Sequence, residues 1–276
     1  MILKLLSLNC HSWIEDQQEV KIKQIIDHIV QEDYDFIALQ EVNQWRESPL
    51  LDQVGETFFP CQDQCPIRED NFAYVLVRGL EDQGLTYFWA WAFNHIGFDR
   101  YEEGVALLSK RPFSPQRCLL SSEDEPGDYR TRAMILADFP DIDLQVASLH
   151  LSWWSDQVEE GFQYEWDRIR KAFEDFQSPS LLMGDFNAPS HIEGESYSLI
   201  QAAGLGDAYH LAAVCEGDYS MGPGIAGWSD TDQSQRIDLI LMTDDFEVAR
   251  YQSQFDGVRG PIVSDHYGIS AVINLQ

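Results

Sequence analysis

The sequence predicts a layered α/β domain in which many strands are covered by a few helices. Three observations carry this. Short apolar runs of strand length alternate with stripes at helical spacing. No internal repeat, low-complexity tract or Pro/Ser linker divides the 276 residues, so one domain over 1–276 is expected. Hydrophobic residues make up 44% and charged residues 24%, and 8 Trp, 11 Tyr and 15 Phe are enough for a sizeable core.

Taken in order, residues 2–8 read as a buried strand. The opening MILKLLSLNC lacks a basic n-region and a small-residue cleavage site, so it is not read as a signal peptide. Ile22, Ile25, Ile26, Ile29 and Val30 give a helical stripe. Asp35 to Gln40 is a short strand, and Phe72, Val75, Leu76 and Leu80 suggest a helix. Leu85 to Phe93 and Gly104 to Ser109 read as strands around a polar loop. Met134 to Phe139 and Leu144 to Leu151 are two more, joined by the turn Pro140-Asp141. Val158, Phe162, Trp166, Ile169, Phe173 and Phe176 form a second long helical stripe. Leu181 to Met183 is a brief strand and Tyr197 to Ala203 a short helix. Arg236 to Met242, Phe246 to Gln252 and Gly268 to Ile273 complete the strands. Periodicity alone leaves the strand order open.

Composition also excludes partners. Lys+Arg total 18 and Asp+Glu 47, a formal net charge of −29. A compact chain of this size exposes on the order of 12,000 Å², or about one net negative charge per 400 Å² by the same scaling. That average field disfavours nucleic acid and anionic membranes. Apolar runs are too short for a membrane span. Five scattered cysteines, an odd number, read as reduced thiols and a cytoplasmic protein. No protein partner is implied.

The polar residues of interest sit at the ends of apolar strands: Asn9, Glu41, His150, Asp185 with Asn187, Asp238, and Asp265 with His266. Strand ends on one sheet edge converge and can build one site. Each also has a plainer role. Asn9 suits a turn, Glu41 an exposed strand end, His150 a satisfied core position, and Gly-Asp-Phe-Asn-Ala-Pro a turn. Asp238 is hardest to dismiss, because a carboxylate in an apolar run is costly unless paired; His266 is the expected partner. Together, carboxylates and Asn suit a hard cation such as Mg²⁺, and an Asp–His pair suits proton transfer.

The segments SLNCHSW, LQEV, EGVALLSKRPF, TRAMILADF, SLHLSWW, MGDFNAP, RIDLILM and VSDHYG occur in this order between residues 7 and 268. In this the chain resembles the endonuclease/exonuclease/phosphatase superfamily. The resemblance implies a four-layer α/β sandwich, two packed mixed sheets flanked by helices. It also implies Mg²⁺- or Mn²⁺-dependent phosphoester hydrolysis. Glu41 then matches the principal metal ligand with Asn9 beside it, and Asp265 an acid that reaches the metal. His266 matches the catalytic histidine, Asp238 the carboxylate orienting it, and Asp185 the residue that activates water or protonates the leaving group. Asn187 matches the residue that positions the phosphate. His150 matches the second histidine of the nuclease-I and sphingomyelinase branch, and Arg132 a phosphate-contacting arginine, with Arg130 as a competitor.

Finer stretches, including WAFNHIGFDRYEEGVALLSK, GIAGWS and FDGVRGPIVSDHYG, resemble the RgfB-like subgroup, which includes maltose 6'-phosphate phosphatase. Trp13, Trp153, Trp154 and Trp228 flank the candidate strand ends, and aromatic faces suit sugar rings, though they equally suit packing beneath loops. Asn94 and His95 open a loop that could contact hydroxyls or be an ordinary turn. The expectation is a cytoplasmic Mg²⁺- or Mn²⁺-dependent phosphomonoesterase acting on a small phosphorylated substrate, a sugar phosphate such as maltose 6'-phosphate. A phosphodiesterase, nuclease or sphingomyelinase-like, is the second reading, and a non-catalytic binding protein the third.

Overall fold

The computed structural model describes residues 1–157, 159–224 and 233–276. The first βαβ unit runs β1 (Ile2–Asn9), α1 (Gln18–Glu32), β2 (Phe36–Trp45). Then come α2 (Phe72–Asp82), β3 (Phe88–Gly97), β4 (Tyr101–Ser109) and β5 (Ser114–Leu119). A second βαβ unit, preceded by β6 (Ala133–Phe139), comprises β7 (Leu144–His150), α3 (Gly161–Ala172) and β8 (Ser180–Asp185). The remainder is α4 (Ser196–Ala202), β9 (Gly206–Asp207), α5 (Ala208–Leu211), β10 (Val214–Glu216), β11 (Asp238–Met242), β12 (Phe246–Gln254) and β13 (Gly268–Leu275).

The strands form a seven-stranded sheet, β10-β12-β13-β1-β2-β4-β3, and a six-stranded sheet, β5-β6-β7-β8-β11-β9. Both are mixed: β1 and β2 are parallel in one, β7 and β8 in the other. Parallel neighbours need a crossover, and here each crossover is a helix. α1 covers the outer face of the first sheet and α3 that of the second.

Alternation along each strand explains the layering. Leu3, Leu5, Phe36 and Ala38 point into the shared core between the sheets, against Val146, Leu181, Met183 and Ile240. Leu6, Leu8, Ile37 and Leu39 point outward, onto Ile22, Ile25 and Ile29 of α1 and Phe72, Leu76 and Leu80 of α2. Leu182, Leu239 and Leu241 likewise meet Phe162, Trp166 and Ile169 of α3. Strands buried on both faces read as unbroken apolar runs. This is the four-layer α/β sandwich. α1 starts at a left-handed Gln17 with no side-chain cap. A missing cap costs about 1 kcal/mol, while each fully buried Ile contributes roughly 2 kcal/mol, so packing decides this helix.

Three readings of the chain need correction. Residues 94–103 are not a polar loop: Asn94–Gly97 continue β3, Tyr101–Glu103 begin β4, and only Phe98–Arg100 turn. Polar residues there are buried at strand ends, not solvated. β5 escapes a hydrophobic pattern because it is a sheet edge, half-exposed and tolerant of Pro115. The short β9, α5 and β10 carry too few residues for any period to be visible. Val158 and Trp228 lie outside the described residues. Among the described residues no helix is long and apolar enough to cross a membrane.

Two local devices fix the approach to the strand ends. A Cβ on Gly184 would lie 2.0 Å from the Leu149 carbonyl oxygen, so only glycine lets β7 and β8 come this close beside Asp185. Arg236, two residues before β11, is buried and donates to Asp207 Oδ2 at 2.6 Å. The Tyr197 hydroxyl donates to the same oxygen, and the guanidinium stacks 4.4 Å from the centroid of the Tyr209 ring. Asp207→Ala would strand that buried cation. We expect it to cost about 3–5 kcal/mol in urea unfolding, the cost of breaking a buried pair.

Candidate active site

All candidate polar residues gather at one end of the two sheets. Asn9 pairs with Gln40 in the parallel β1–β2 register, and His150 with Asp185 in β7–β8. Asp238 begins β11 directly opposite Asp185. His266 and Asp265 lie just before β13, which runs antiparallel to β1 and so starts at the end where β1 finishes.

The backbone is bent to deliver these groups. Glu41 occupies a bulge between Leu39 and Val42 with φ 48°. Asn187 has φ 47°, His11 42° and Trp13 63°. Such left-handed residues cost of order 1–3 kcal/mol each when not glycine. Their concentration at the ends of β1, β2 and β8 marks where packing elsewhere sustains strain.

Asp185 is the hub. Its Oδ1 accepts from Asn187 N at 2.9 Å and its Oδ2 from Asn9 Nδ2 at 3.1 Å. The Nε2 atoms of His150 and His266 stand 3.6 and 3.8 Å from the same Oδ2. Burial and the neighbouring Asp238 charge push the Asp185 carboxyl up to about 7, against the pull of His266, Asn187 and Asn9. His266 Nδ1 faces Asp238 Oδ2 at 2.9 Å. Burial disfavours its imidazolium, but Asp238 and Asp185 outweigh burial and hold its pKa well above the usual histidine range. His150 goes the other way: burial, Arg132, His266 and His95 hold it neutral. Asn187 Nδ2 donates to Leu151 O at 2.8 Å and reaches His150 Nε2 at 3.3 Å. A neutral His150 accepting there carries its proton on Nδ1, which has no partner among the described residues.

Arg132 is buried, and its Nε and Nη1 have no hydrogen-bond acceptor among the described residues. Glu103, a residue the sequence reading passed over, approaches Nη1 at 3.9 Å. Burial and Glu41 push Glu103 up to about 8, against the pull of Arg132, which weakens the counter-charge it offers the guanidinium. His95 stands 3.5 Å from Glu103 and its Nδ1 meets Thr131 O; burial and Arg132 lower it to about 3. A buried guanidinium whose donors lack acceptors is an anion site. Arg130, the competitor, is exposed and engaged with Asp128 and Glu160.

For a divalent cation the donor set is suitable. Asn9 Nδ2 donates to Glu41 Oε1 at 3.0 Å while its Oδ1 accepts His11 N. Glu41 has no cationic partner among the described residues, a carboxylate at the sheet end without a counter-ion. Asp265 lies 3.7 Å from His11 Nδ1, which contacts Glu15 at 2.6 Å; ligand atoms of these three lie within 4.8 Å of one another. Lys21 also pairs with Glu15. Oxygen-rich groups with one imidazole fit a hard cation. His11 and Glu15 were missed because only the turn after β1 brings them to Asp265.

Other sequence candidates are placed differently. The Trp13 N–H is spent on the carbonyls of Asn43 and Asp70 (3.2 and 2.8 Å), and its ring packs edge-on to Phe72. That makes it a support for α2, the packing role the sequence allowed beside the sugar contact. Asn94 is buried and its Oδ1 accepts Ala133 N, tying β3 to β6. His95 sits in the Glu103–Arg132 network. Trp153 and Trp154 are half-buried beyond His150.

A family model described as Endonuclease/Exonuclease/phosphatase family matches residues 15–266. No curated protein matches the chain. Among solved structures, an endonuclease/exonuclease/phosphatase family protein from Leptotrichia buccalis C-1013-b is similar at 26% identity, TM-score 0.84, covering 99% of this chain and 100% of that one. A mannosyl-6-phosphatase from Bacteroides thetaiotaomicron VPI-5482 is similar at 15% identity, TM-score 0.66, with 99% and 100% coverage. The human Nocturnin catalytic domain is similar at 16% identity, TM-score 0.65, with 100% and 94% coverage. The last two likenesses speak to fold.

Asp238→Asn would remove the charge that raises His266. We expect its imidazole to titrate at least one unit lower, followed by NMR of the ring C–H signals. An unchanged titration would show that Asp238 does not hold the proton.

Proposed function

The chain belongs to the endonuclease/exonuclease/phosphatase family, whose chemistry is phosphoester hydrolysis, and on that premise we propose a phosphomonoesterase acting on a sugar phosphate. The observation that carries it is the buried Arg132 guanidinium, whose Nε and Nη1 have no hydrogen-bond acceptor among the described residues, beside neutral His150 and across from the His266 imidazolium. These are donors for one compact dianion, within a chain of net charge −29 that repels a polyanion. The structural likeness to a mannosyl-6-phosphatase supports a sugar over a nucleic acid.

Each residue has a role on this reading. Asp185, held by Asn9 and the Asn187 N–H, accepts a proton from the attacking water. His266, fixed by Asp238, donates to a phosphoryl oxygen. Arg132 positions the other equatorial oxygens, His150 offers its Nδ1–H, and Asn187 fixes the His150 ring from its Nε2 side. Glu41 and Asp265, with Asn9 orienting Glu41 and His11 at hand, would hold Mg²⁺ or Mn²⁺. When bound, that cation neutralises charge developing on the phosphoryl oxygens. Positive charge is thus local, and the raised Glu103 carboxyl offsets less of it.

Two outcomes are expected. First, phosphate release screened across sugar phosphates, nucleotides, phosphoinositides and DNA appears with sugar phosphates and disappears with EDTA. Asp185→Ala or His266→Ala lowers it about 10²–10⁴-fold. Cleavage of plasmid DNA at low enzyme concentration, with sugar phosphates untouched, sinks the reading and favours a phosphodiesterase. Second, Asp185 must be ionised to accept a proton, and burial has raised it to about 7. At fixed metal concentration kcat/KM therefore rises with pH through about 7 and falls tenfold per unit below it. A flat profile from pH 5 to 8 excludes Asp185 as the base.

A further inference from the structure

The turn after β1 brings together three ligating side chains, of which Glu15 has no part in the phosphoryl chemistry. His11 Nδ1 stands 2.6 Å from Glu15 Oε1 and 3.7 Å from Asp265 Oδ1. The three ligating atoms lie within 4.8 Å of one another, and Glu41 is not a member of this group. All three side chains are partly exposed, so an ion can reach them. A pair of carboxylates alone would attract any cation weakly. An imidazole nitrogen close to both adds a neutral and softer donor.

The group is fixed from beneath. His11 N donates to Asn9 Oδ1 at 3.2 Å. Ser12 Oγ donates to the Glu41 carbonyl at 2.6 Å and accepts the Asn43 N–H at 2.8 Å. Ser264 Oγ donates to the Asn9 carbonyl at 2.7 Å and reaches Asp265 Oδ1 at 3.3 Å. Both segments that supply ligands are thus tied to the end of β1. Lys21 of α1 pairs with Glu15 through Oε2, while Oε1 faces His11. Glu15 keeps a cation at one oxygen and presents the other to the group.

We propose that His11, Glu15 and Asp265 form a second divalent-cation position, distinct from the one at Glu41 and Asn9, that takes a transition-metal ion such as Mn²⁺, Co²⁺ or Zn²⁺ in preference to Mg²⁺. Donor chemistry carries the preference. Mg²⁺ is bound by oxygen ligands and dehydrates reluctantly. Imidazole suits the later first-row dications, and two carboxylates balance their charge. Three protein donors leave a place for water or a substrate oxygen, the donor count of an open rather than a closed site. Asp265 also serves the Glu41 cation in the mechanism above, so two ions would share it. The proposal stands on these donor atoms and does not rest on the sugar-phosphate reading.

The test measures binding on the full chain, stripped with EDTA and dialysed. Co²⁺ is titrated by calorimetry and visible absorption, with and without excess Mg²⁺. We expect a saturable Co²⁺ site that survives Mg²⁺. His11→Ala and Glu15→Gln should each weaken it about tenfold or more, while Glu41→Gln leaves it in place. In the unsubstituted chain, one equivalent of Zn²⁺ should shift the ring C–H signals of His11 in NMR spectra, a readout that needs no variant to fold. Equal Co²⁺ affinity in His11→Ala, or an unshifted His11 ring, overturns the site. Loss of Co²⁺ in Glu41→Gln as well shows one joint site and overturns the second position. Displacement by equimolar Mg²⁺ overturns the preference. Weak binding insensitive to all three substitutions means an adventitious ion only. A Co²⁺ site that behaves as expected in a chain that hydrolyses no sugar phosphate upholds the proposal and sinks the reading of the reaction. Hydrolysis of sugar phosphates with Mg²⁺ and no Co²⁺ site does the reverse.

Discussion

The strands at the middle of both sheets are covered on both faces, by the other sheet and by helices. A charge placed along them would be desolvated with nothing to pair against. Polar side chains are therefore driven to the strand ends. Parallel neighbours then decide which end. In β1/β2 and in β7/β8 a helical crossover returns the chain in the same direction, so two carboxyl ends fall side by side in each sheet. Packing the sheets face to face brings Asn9 and Glu41 to Asp185 and His150. The antiparallel entries of β11 and β13 add Asp238 and His266 to the same place.

Once gathered there, the groups set each other's protonation. Three buried groups, Asp185, Asp238 and His266, settle into an arrangement with one imidazolium between two carboxyls. His150, a few ångströms away, is held neutral first by burial and then by the positive charge of Arg132 and His266. The Glu103 carboxyl is pushed up instead, being buried and close to Glu41. A strongly acidic chain thereby builds a pocket with local positive character. It does so by neutralising carboxylates through burial, not by adding bases. The global charge selects among partners through long-range repulsion, and the short-range arrangement does the chemistry.

Much of the site could be read from residue order. Asp185 and Asn187 follow an apolar run, Asp238 opens another, and Asp265-His266 precedes a third, so each announced itself as polarity at a strand end. Groups whose neighbourhood comes only from pairing across the sheet were not legible. Glu103 fell within the stretch that reads as a polar loop, until its register opposite Asn43 placed it beside Glu41 and Arg132. His11 and Glu15 belong to a turn whose left-handed backbone no pattern discloses. Trp13 misled for a related reason: aromatic residues near a site serve equally to pack the layer beneath it.

The sequence by itself determined a layered α/β domain, through unbroken apolar runs set between helical stripes, with the four-layer sandwich following from the resemblance of its motifs, and it named the core of the reacting groups, through polarity where apolar runs stop. Those signals are local, a few residues wide, and survive without coordinates. Only the tertiary structure decided which groups carry charge, because desolvation and neighbouring charges act across elements far apart in the chain. It alone decided that Arg132 Nε and Nη1 have no acceptor among the described residues and that the 121–131 loop faces the start of α3 across a cavity. Such facts depend on distances between segments, and distance between segments is what folding supplies.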